Sequence, residues 1–140
     1  MAGEDLQGDP VSVTKMRGKV VVINVWWSLC PPCRTEMPEL VEASKELGKE
    51  AEFVGINIRD NAVESARLFA EQFKVPYPSI YSPDGQALLP FAGTLSPRTI
   101  PSTVVLDRRG RIAATVIGPI PSKNTFVDLV EGIAAEPADG

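Results

Sequence analysis

Two cysteines, Cys30 and Cys33, are the only ones in the chain, and they lie in the stretch VWWSLCPPCRTEMP. A pair at this spacing can be a redox centre, half of a zinc site or a structural crosslink. A crosslink across two intervening residues removes little entropy from the unfolded chain and adds little stability. The spacing therefore favours a redox pair.

The chain contains no histidine. This excludes an imidazole general base, a Cys/His protease pair and a His-bearing metal site. Two cysteines supply only half of an all-cysteine zinc site, so a structural zinc would need a second chain. We predict no metal site and no cofactor.

Length and charge narrow the class of protein. The 140 residues, 44% of them hydrophobic, suit one domain over residues 1–140. The net charge of -4 argues against nucleic-acid binding. The apolar run Val20–Trp27 is too short to span a bilayer, so we expect no membrane contact. Residues 1–10 lack the basic and apolar regions of an export signal, and we expect residues 1–10 and 136–140 to be flexible.

Strand and helix patterns alternate along the chain, which favours an α/β fold with parallel strands. Strands are predicted over Lys19–Trp26, Phe53–Ile58, Pro78–Tyr81, Thr103–Leu106 and Arg111–Ile117. Helices are predicted from Met37 to a stop at Gly48, over Val63–Phe73, over Gln86–Leu89, and over Lys123–Ala135 after an N-cap at Ser122. The turn DRRG should make the last two strands antiparallel.

The cysteines lie between the first long strand and the helix that follows it. A helix N-terminus favours a thiolate because its N–H groups are unpaired and its dipole is positive. Cys30 is predicted to be the more exposed, attacking thiol, and Cys33 the resolving thiol. Pro31 and Pro32 have no N–H group to donate to the Cys30 thiolate, which favours a reductant or mild exchanger.

The segment WWSLCPPCRTEMPEL resembles the thioredoxin superfamily, and within it the TlpA/ResA-like proteins, which include the DsbE/CcmG-like ones. The resemblance covers about Val20 to Ala135. It implies a thioredoxin-like fold: a central mixed sheet flanked by helices, with a TlpA-like helix-strand insertion. The sequence departs from the wider superfamily at Leu29, where members usually have Trp, and at Asn24, where thioredoxins have a buried Asp.

The resemblance also implies functional residues. It places a cis bond at Ile100-Pro101 and an acid, Glu36, close to Cys33. We assign catalytic roles to Cys30, Cys33 and Glu36, and substrate contacts to Trp27, Pro31, Pro32, Ile100 and Pro101. Glu36 is either a buried acid whose pKa is raised, able to accept the Cys33 proton, or an exposed glutamate that complements the helix dipole.

Other polar residues are interpreted as structural. Asp60, at the end of the second strand, either approaches the active-site groove or, as we expect, is a solvated acid paired with Arg59. Arg34 is expected to be solvated or to support a thiolate. Asn24 is expected to be a fully hydrogen-bonded core amide.

We predict a thiol-disulfide oxidoreductase that reduces or exchanges disulfides in extracytoplasmic proteins such as apocytochrome c. Its partners would be protein disulfides or dithiols and an electron donor such as a membrane thiol-disulfide carrier. We expect a monomer, secreted or membrane-tethered through a segment absent from this sequence, with a cytoplasmic location as the alternative.

The alternative functions are a non-catalytic interaction module and a thiol peroxidase. A peroxidase is disfavoured because Trp27 stands where it would have Thr, and a Sco-type copper carrier would need CxxxC and a His.

Overall fold

The computed structural model describes residues 1–137. The strands are β1 (Ala2–Glu4), β2 (Pro10–Ser12), β3 (Val20–Trp26), β4 (Ala51–Asn57), β5 (Ser79–Tyr81), β6 (Ser102–Leu106) and β7 (Ile112–Ile117). The α-helices are α1 (Pro31–Glu46), α2 (Val63–Gln72) and α3 (Lys123–Ala134), and short 3-10 helices cover Thr14–Met16 and Gln86–Phe91. No helix within residues 1–137 is long and apolar enough to cross a bilayer.

The main sheet has the strand order β5-β4-β3-β6-β7. The pairs β3-β4 and β4-β5 are parallel, whereas β3-β6 and β6-β7 are antiparallel. The central strand β3 is buried along its whole length, as its β-branched residues predict. The predicted mixed sheet and the antiparallel final pair are confirmed. The unit β4-α2-β5 supplies the helix and strand expected for a TlpA-like insertion.

Alternate residues of β3 contribute to two apolar cores. Val20, Val22 and Trp26 belong to a core shared with α1, α2 and α3. Val21, Ile23 and Val25 belong to a core with residues of the N-terminal segment and of the 3-10 helix over Gln86–Phe91. Asn24 lies on the same face of β3 as Val22 and Trp26, the face that the helices cover, so its amide lies under α1.

Helix α1 begins earlier than the apolar pattern from Met37 indicates. Its first two residues are Pro31 and Pro32, and Cys30 is its N-cap. Proline is well suited to the first helical turn because its fixed φ is helical and its missing N–H would be unpaired there. The early start places Cys33 inside the first turn of the helix.

The N-terminal residues, which we expected to be flexible, form a hairpin. Strand β1 pairs antiparallel with β2. The Asp5 carboxylate accepts hydrogen bonds from the N–H groups of Gln7 and Asp9, and the Leu6 side chain is buried in the core. The hairpin depends on a turn held by one Asp side chain and on one buried leucine, and such short features give no clear pattern in the sequence. Most of the predicted loose tail, residues 138–140, lies outside the described residues.

Candidate active site

Cys30 and Cys33 are joined by a disulfide, with their Cα atoms 5.2 Å apart. The N–H of Cys33 lies 3.2 Å from the Cys30 sulfur and donates to it. Pro31 and Pro32, between them, have no N–H to donate, as predicted. Cys30 is 5% exposed and Cys33 1%, so Cys30 is the more exposed cysteine, although both residues are buried.

The bond Ile100-Pro101 is cis, as predicted. Strand β6 begins directly after it, and Ser102 is paired with Val25 near the carboxyl end of β3. Pro101 therefore lies at the end of the sheet from which the chain continues to Cys30. Its carbonyl accepts a hydrogen bond from the N–H of Gly118.

Glu36 is 2% exposed, which rules out the exposed first-turn glutamate. One carboxylate oxygen accepts a hydrogen bond from the Asn24 side-chain amide, and the other accepts one from the N–H of Ile120, each at 2.9 Å. Burial raises the pKa of Glu36 to about 7, against these two hydrogen bonds, which lower it, and with a smaller increase from the negative charge of Glu39. Glu36 follows Cys33 by three residues in α1, the spacing of neighbours on one helix face.

Asn24 is not the fully hydrogen-bonded amide that we expected. Its Nδ2 group donates to Glu36 and lies within hydrogen-bond distance of the Ser102 carbonyl and the Thr103 hydroxyl. Its Oδ1 has no partner among the described residues. The position of Asn24 in β3 directs its Nδ2 group toward Glu36, so the amide nitrogen is hydrogen-bonded and the amide oxygen is left unpaired.

Asp60 is a buried acid, and the predicted pairing with Arg59 is wrong. One carboxylate oxygen accepts the Ser28 hydroxyl at 2.6 Å, and the other accepts the Ser28 N–H and the Asn57 amide at 3.1 and 2.8 Å. The residue is 4% exposed. These contacts tie the end of β4 to the loop that leads into Cys30. One sequence feature indicates this position. Asp60 follows the buried strand β4, and the parallel neighbour of β4, strand β3, ends beside it and leads to Cys30.

Arg34 packs on α2. Its guanidinium lies over the rings of Phe69 and Phe73 and donates to Gln72, so it contacts α2. A longer hydrogen bond reaches the Ser28 carbonyl at 3.4 Å. Arg34 thus helps to hold the same loop as Asp60 does.

Trp26 and Trp27 have different surroundings. Trp26 is buried, stacks on Phe69 and donates its ring N–H to Ser79. Trp27 is half-buried, and the guanidinium of Arg59 lies over its ring. The tryptophan predicted to contact substrate is therefore the more accessible one, three residues before Cys30.

A family model described as Redoxin matches residues 2–131. A thiol-disulfide oxidoreductase ResA from Bacillus thuringiensis is 30% identical over 117 residues, which cover 81% of this chain and 64% of that protein. The thioredoxin-like protein YneN from Bacillus subtilis is 27% identical over 120 residues, which cover 84% of this chain and 68% of that protein. The chain thus spans about two thirds of these relatives.

Two solved structures have the same fold. A DsbF homologue from Corynebacterium diphtheriae is 32% identical with a TM-score of 0.88, and the match covers 94% of this chain and 83% of that one. A secreted thiol-disulfide isomerase from Corynebacterium glutamicum is 28% identical with a TM-score of 0.89, covering 97% and 84% of the two chains. With its Cys30-Cys33 pair at the start of α1, the chain belongs to the Redoxin family and is a TlpA/ResA-like thiol-disulfide oxidoreductase of the thioredoxin superfamily.

Proposed function

We propose that the chain reduces or exchanges disulfides in extracytoplasmic proteins, with the haem-site cysteines of an apocytochrome c as one candidate substrate. The placement of the two cysteines at a helix N-terminus supports the chemistry. The C. glutamicum neighbour, described as secreted, supports the location. We expect a monomer that is reset by a dithiol donor, such as a membrane thiol-disulfide carrier.

The reaction begins with the reduced protein. The Cys30 thiolate attacks one sulfur of the substrate disulfide, forms a mixed disulfide and expels the other substrate sulfur as a thiolate. The Cys33 thiolate then attacks the Cys30 sulfur and closes the Cys30-Cys33 disulfide. This step releases the second substrate thiolate, so two electrons have passed from the protein dithiol to the substrate.

The observation that carries this mechanism is the buried carboxylate of Glu36, whose pKa is raised to about 7. Cys33 must lose its proton before it can attack, and a base is most effective when its pKa lies near the working pH. Glu36 lies one helical turn from Cys33. Among residues 1–137, no arginine or lysine forms a salt bridge with Glu36 that would hold it in the charged form. We infer that Glu36 accepts the Cys33 proton and returns it to solvent or to the departing substrate thiolate.

The hydrogen bonds around Cys30 favour the reducing direction. The N–H of Cys33 is the donor found at the Cys30 sulfur, while Pro31 and Pro32 contribute none. Few donors stabilise a thiolate weakly, and a weakly stabilised thiolate makes a poor oxidant. Trp27, Ile100 and Pro101, together with the two prolines, are proposed to contact the substrate chain on either side of the Cys30 sulfur.

Single-cysteine variants test the roles. Cys30→Ser should abolish reduction of a fluorogenic peptide disulfide with dithiothreitol as the donor, whereas Cys33→Ser should accumulate a mixed disulfide visible by mass spectrometry. Preferential alkylation of Cys33 in the reduced wild-type protein would show that the roles are reversed. Turnover of hydrogen peroxide in place of the peptide would favour the peroxidase, and the absence of both activities would favour a binding module.

The role of Glu36 needs a separate experiment. Glu36→Gln should slow release of the substrate from the mixed disulfide more than formation of it, in stopped-flow measurements between about pH 6 and 9, across the range of thiol ionisation. Glu42→Gln, an exposed position on the same helix, is the matched control. Equal effects of Glu36→Gln on both steps would contradict the role as a base for Cys33.

A further inference from the structure

Arg59 is an exposed cation at the active-site end of the molecule, two residues after the end of β4. Its guanidinium lies over the Trp27 ring, with 5.4 Å between the guanidinium carbon and the ring centroid. One of its terminal N–H groups donates to the Pro97 carbonyl at 2.5 Å. The side chain is therefore held at two points.

These two contacts place the guanidinium between the segment that leads to Cys30 and the segment that leads to Pro101. Trp27 lies three residues before Cys30, and its carbonyl accepts the Cys30 N–H. Pro97 lies four residues before the cis proline Pro101. A substrate chain bound over Cys30 and Pro101 would therefore lie next to the two segments that the guanidinium contacts.

Arg59 has no acidic partner among residues 1–137, where the salt bridges involve other cations. Its neighbour Asp60 accepts hydrogen bonds from Ser28 and Asn57 instead. A guanidinium has five N–H donors in a planar fork that matches a carboxylate, and the Pro97 carbonyl uses one of them. Donors are thus left available to a ligand.

The backbone at Arg59 is also unusual. Its φ of 67° lies in the left-handed region, which is unfavourable for a residue that carries a side chain. The N–H of Arg59 donates to the Pro83 carbonyl, which helps to hold this conformation. Such strained positions concentrate at functional sites. Here the strained turn sends Asp60 inward and leaves Arg59 at the surface.

We propose that Arg59 is a specificity-determining residue that binds a carboxylate on the substrate chain beside the target cysteine. The inference rests on the oxidoreductase activity proposed above and adds the substrate class, an acidic segment around the disulfide. A pre-oriented guanidinium loses little freedom when it binds, so the pair forms at low entropic cost. Because the chain carries a net charge of -4, this attraction acts locally, against the long-range repulsion of an acidic partner.

The test compares two peptide disulfides that differ in one residue, Asp or Asn, placed next to the cysteine. The wild-type protein should have a kcat/KM about three- to fivefold higher for the Asp peptide at low salt, the range of an exposed ion pair. The preference should shrink as ionic strength rises. Arg59→Gln should bring the Asp/Asn ratio to about one, and Arg59→Lys, which keeps the charge but not the fork, should retain part of it.

Lys49→Gln is the control for the change in net charge, because Lys49 is an exposed cation beyond the other end of α1. It should leave the ratio unchanged. If Arg59→Gln slows both peptides equally and keeps the ratio, Arg59 is only a structural bridge between loops and the inference is overturned. Equal turnover of both peptides by the wild-type protein would also overturn it. Failure to reduce either peptide would overturn the proposed function as well.

Discussion

Glu36 and Asp60 are both almost completely buried at the active-site end of the sheet, yet their surroundings differ. Glu36 accepts one hydrogen bond on each oxygen, from Asn24 and from the N–H of Ile120. Asp60 accepts three, two of them from Ser28 in the loop that leads to Cys30. The first acid connects α1 to β3 and to the segment after β7, whereas the second connects β4 to the active-site loop.

This difference shows that burial alone does not assign a role to an acid. Two hydrogen bonds do not offset the burial of Glu36, so its pKa rises to about 7 and its proton can move near neutral pH. The donors around Asp60 come from groups whose position matters for Cys30, so this carboxylate is suited to positioning a loop. The following predictions test the division between a proton carrier and a positioning residue.

Asp60→Ala should have the largest effect on stability. It leaves the Ser28 N–H, the Ser28 hydroxyl and the Asn57 amide without their acceptor, and the expected loss in the free energy of unfolding is about 4 kcal/mol. Urea unfolding of the oxidised protein measures it. Asp128→Ala, at an exposed position in α3, is the control and should change stability by less than about 0.5 kcal/mol. A loss no larger than the control's would remove the positioning role.

Glu36→Gln should change how stability depends on pH. In the wild-type protein the pKa of Glu36 is raised from its ordinary 4.5 to about 7, so the folded state holds the proton more tightly than the unfolded state does. The contribution of this group to stability is therefore greatest below about pH 4.5, falls as pH rises, and has declined by about 3 kcal/mol above pH 7.

The quantity to measure is the difference in unfolding free energy between the wild-type protein and Glu36→Gln, from pH 4.5 to 8. The oxidised proteins are used because their cysteines do not titrate, and the other carboxylates largely cancel in the difference. A difference that stays constant with pH, as expected for Glu42→Gln, would mean that Glu36 titrates normally.

Asn24→Ala should move the titration of Glu36 upward. The variant removes a donor that lowers the pKa of the carboxylate, so the pKa should exceed about 7. Above that pH the loss of stability should be about 2 kcal/mol, the usual size for a hydrogen bond to a charged group, and it should be smaller at pH 5. The pH profile of unfolding free energy measures both effects. A loss that is the same at both pH values would show that Asn24 supports only the strands.

Ser28→Ala should have the smallest effect. It removes one of the three hydrogen bonds to the Asp60 carboxylate and keeps those from the Ser28 N–H and the Asn57 amide, so the expected cost is about 1.5 kcal/mol, the low end for a hydrogen bond to a charged group. Comparison with Asp60→Ala then separates the contribution of the Ser28 hydroxyl from that of the other two donors, the Ser28 N–H and the Asn57 amide. If Ser28→Ala is as costly as Asp60→Ala, the hydroxyl carries the whole contact, and the bonds from the Ser28 N–H and the Asn57 amide contribute nothing measurable.

Much of the fold is visible in local sequence patterns. The β-branched run that became β3, the apolar spacing of α2 and the Ser122 N-cap of α3 were predicted within a few residues. The apolar pattern of α1 begins only at Met37, but the placement of the cysteine pair at a helix N-terminus predicts the start of the helix, and the N-cap at Cys30 confirms it. The hairpin of residues 2–12 was missed because it depends on short pairs and one buried leucine.

The sequence by itself determined the redox pair and the α/β class, because these depend on residue types at short spacing and on alternating patterns, whereas the cis proline followed from the resemblance to thioredoxin-like proteins. The environments of the acids depended on the tertiary structure. Ile120 is 84 residues from Glu36, and Asp60 is 32 residues from Ser28, so no local pattern shows these contacts. The sheet order brings the ends of β3, β4 and β6 together, and only that assembly buries Glu36, turns Asp60 toward Ser28 and leaves Arg59 at the surface. Burial and donor geometry set a pKa, and both are properties of the packed chain.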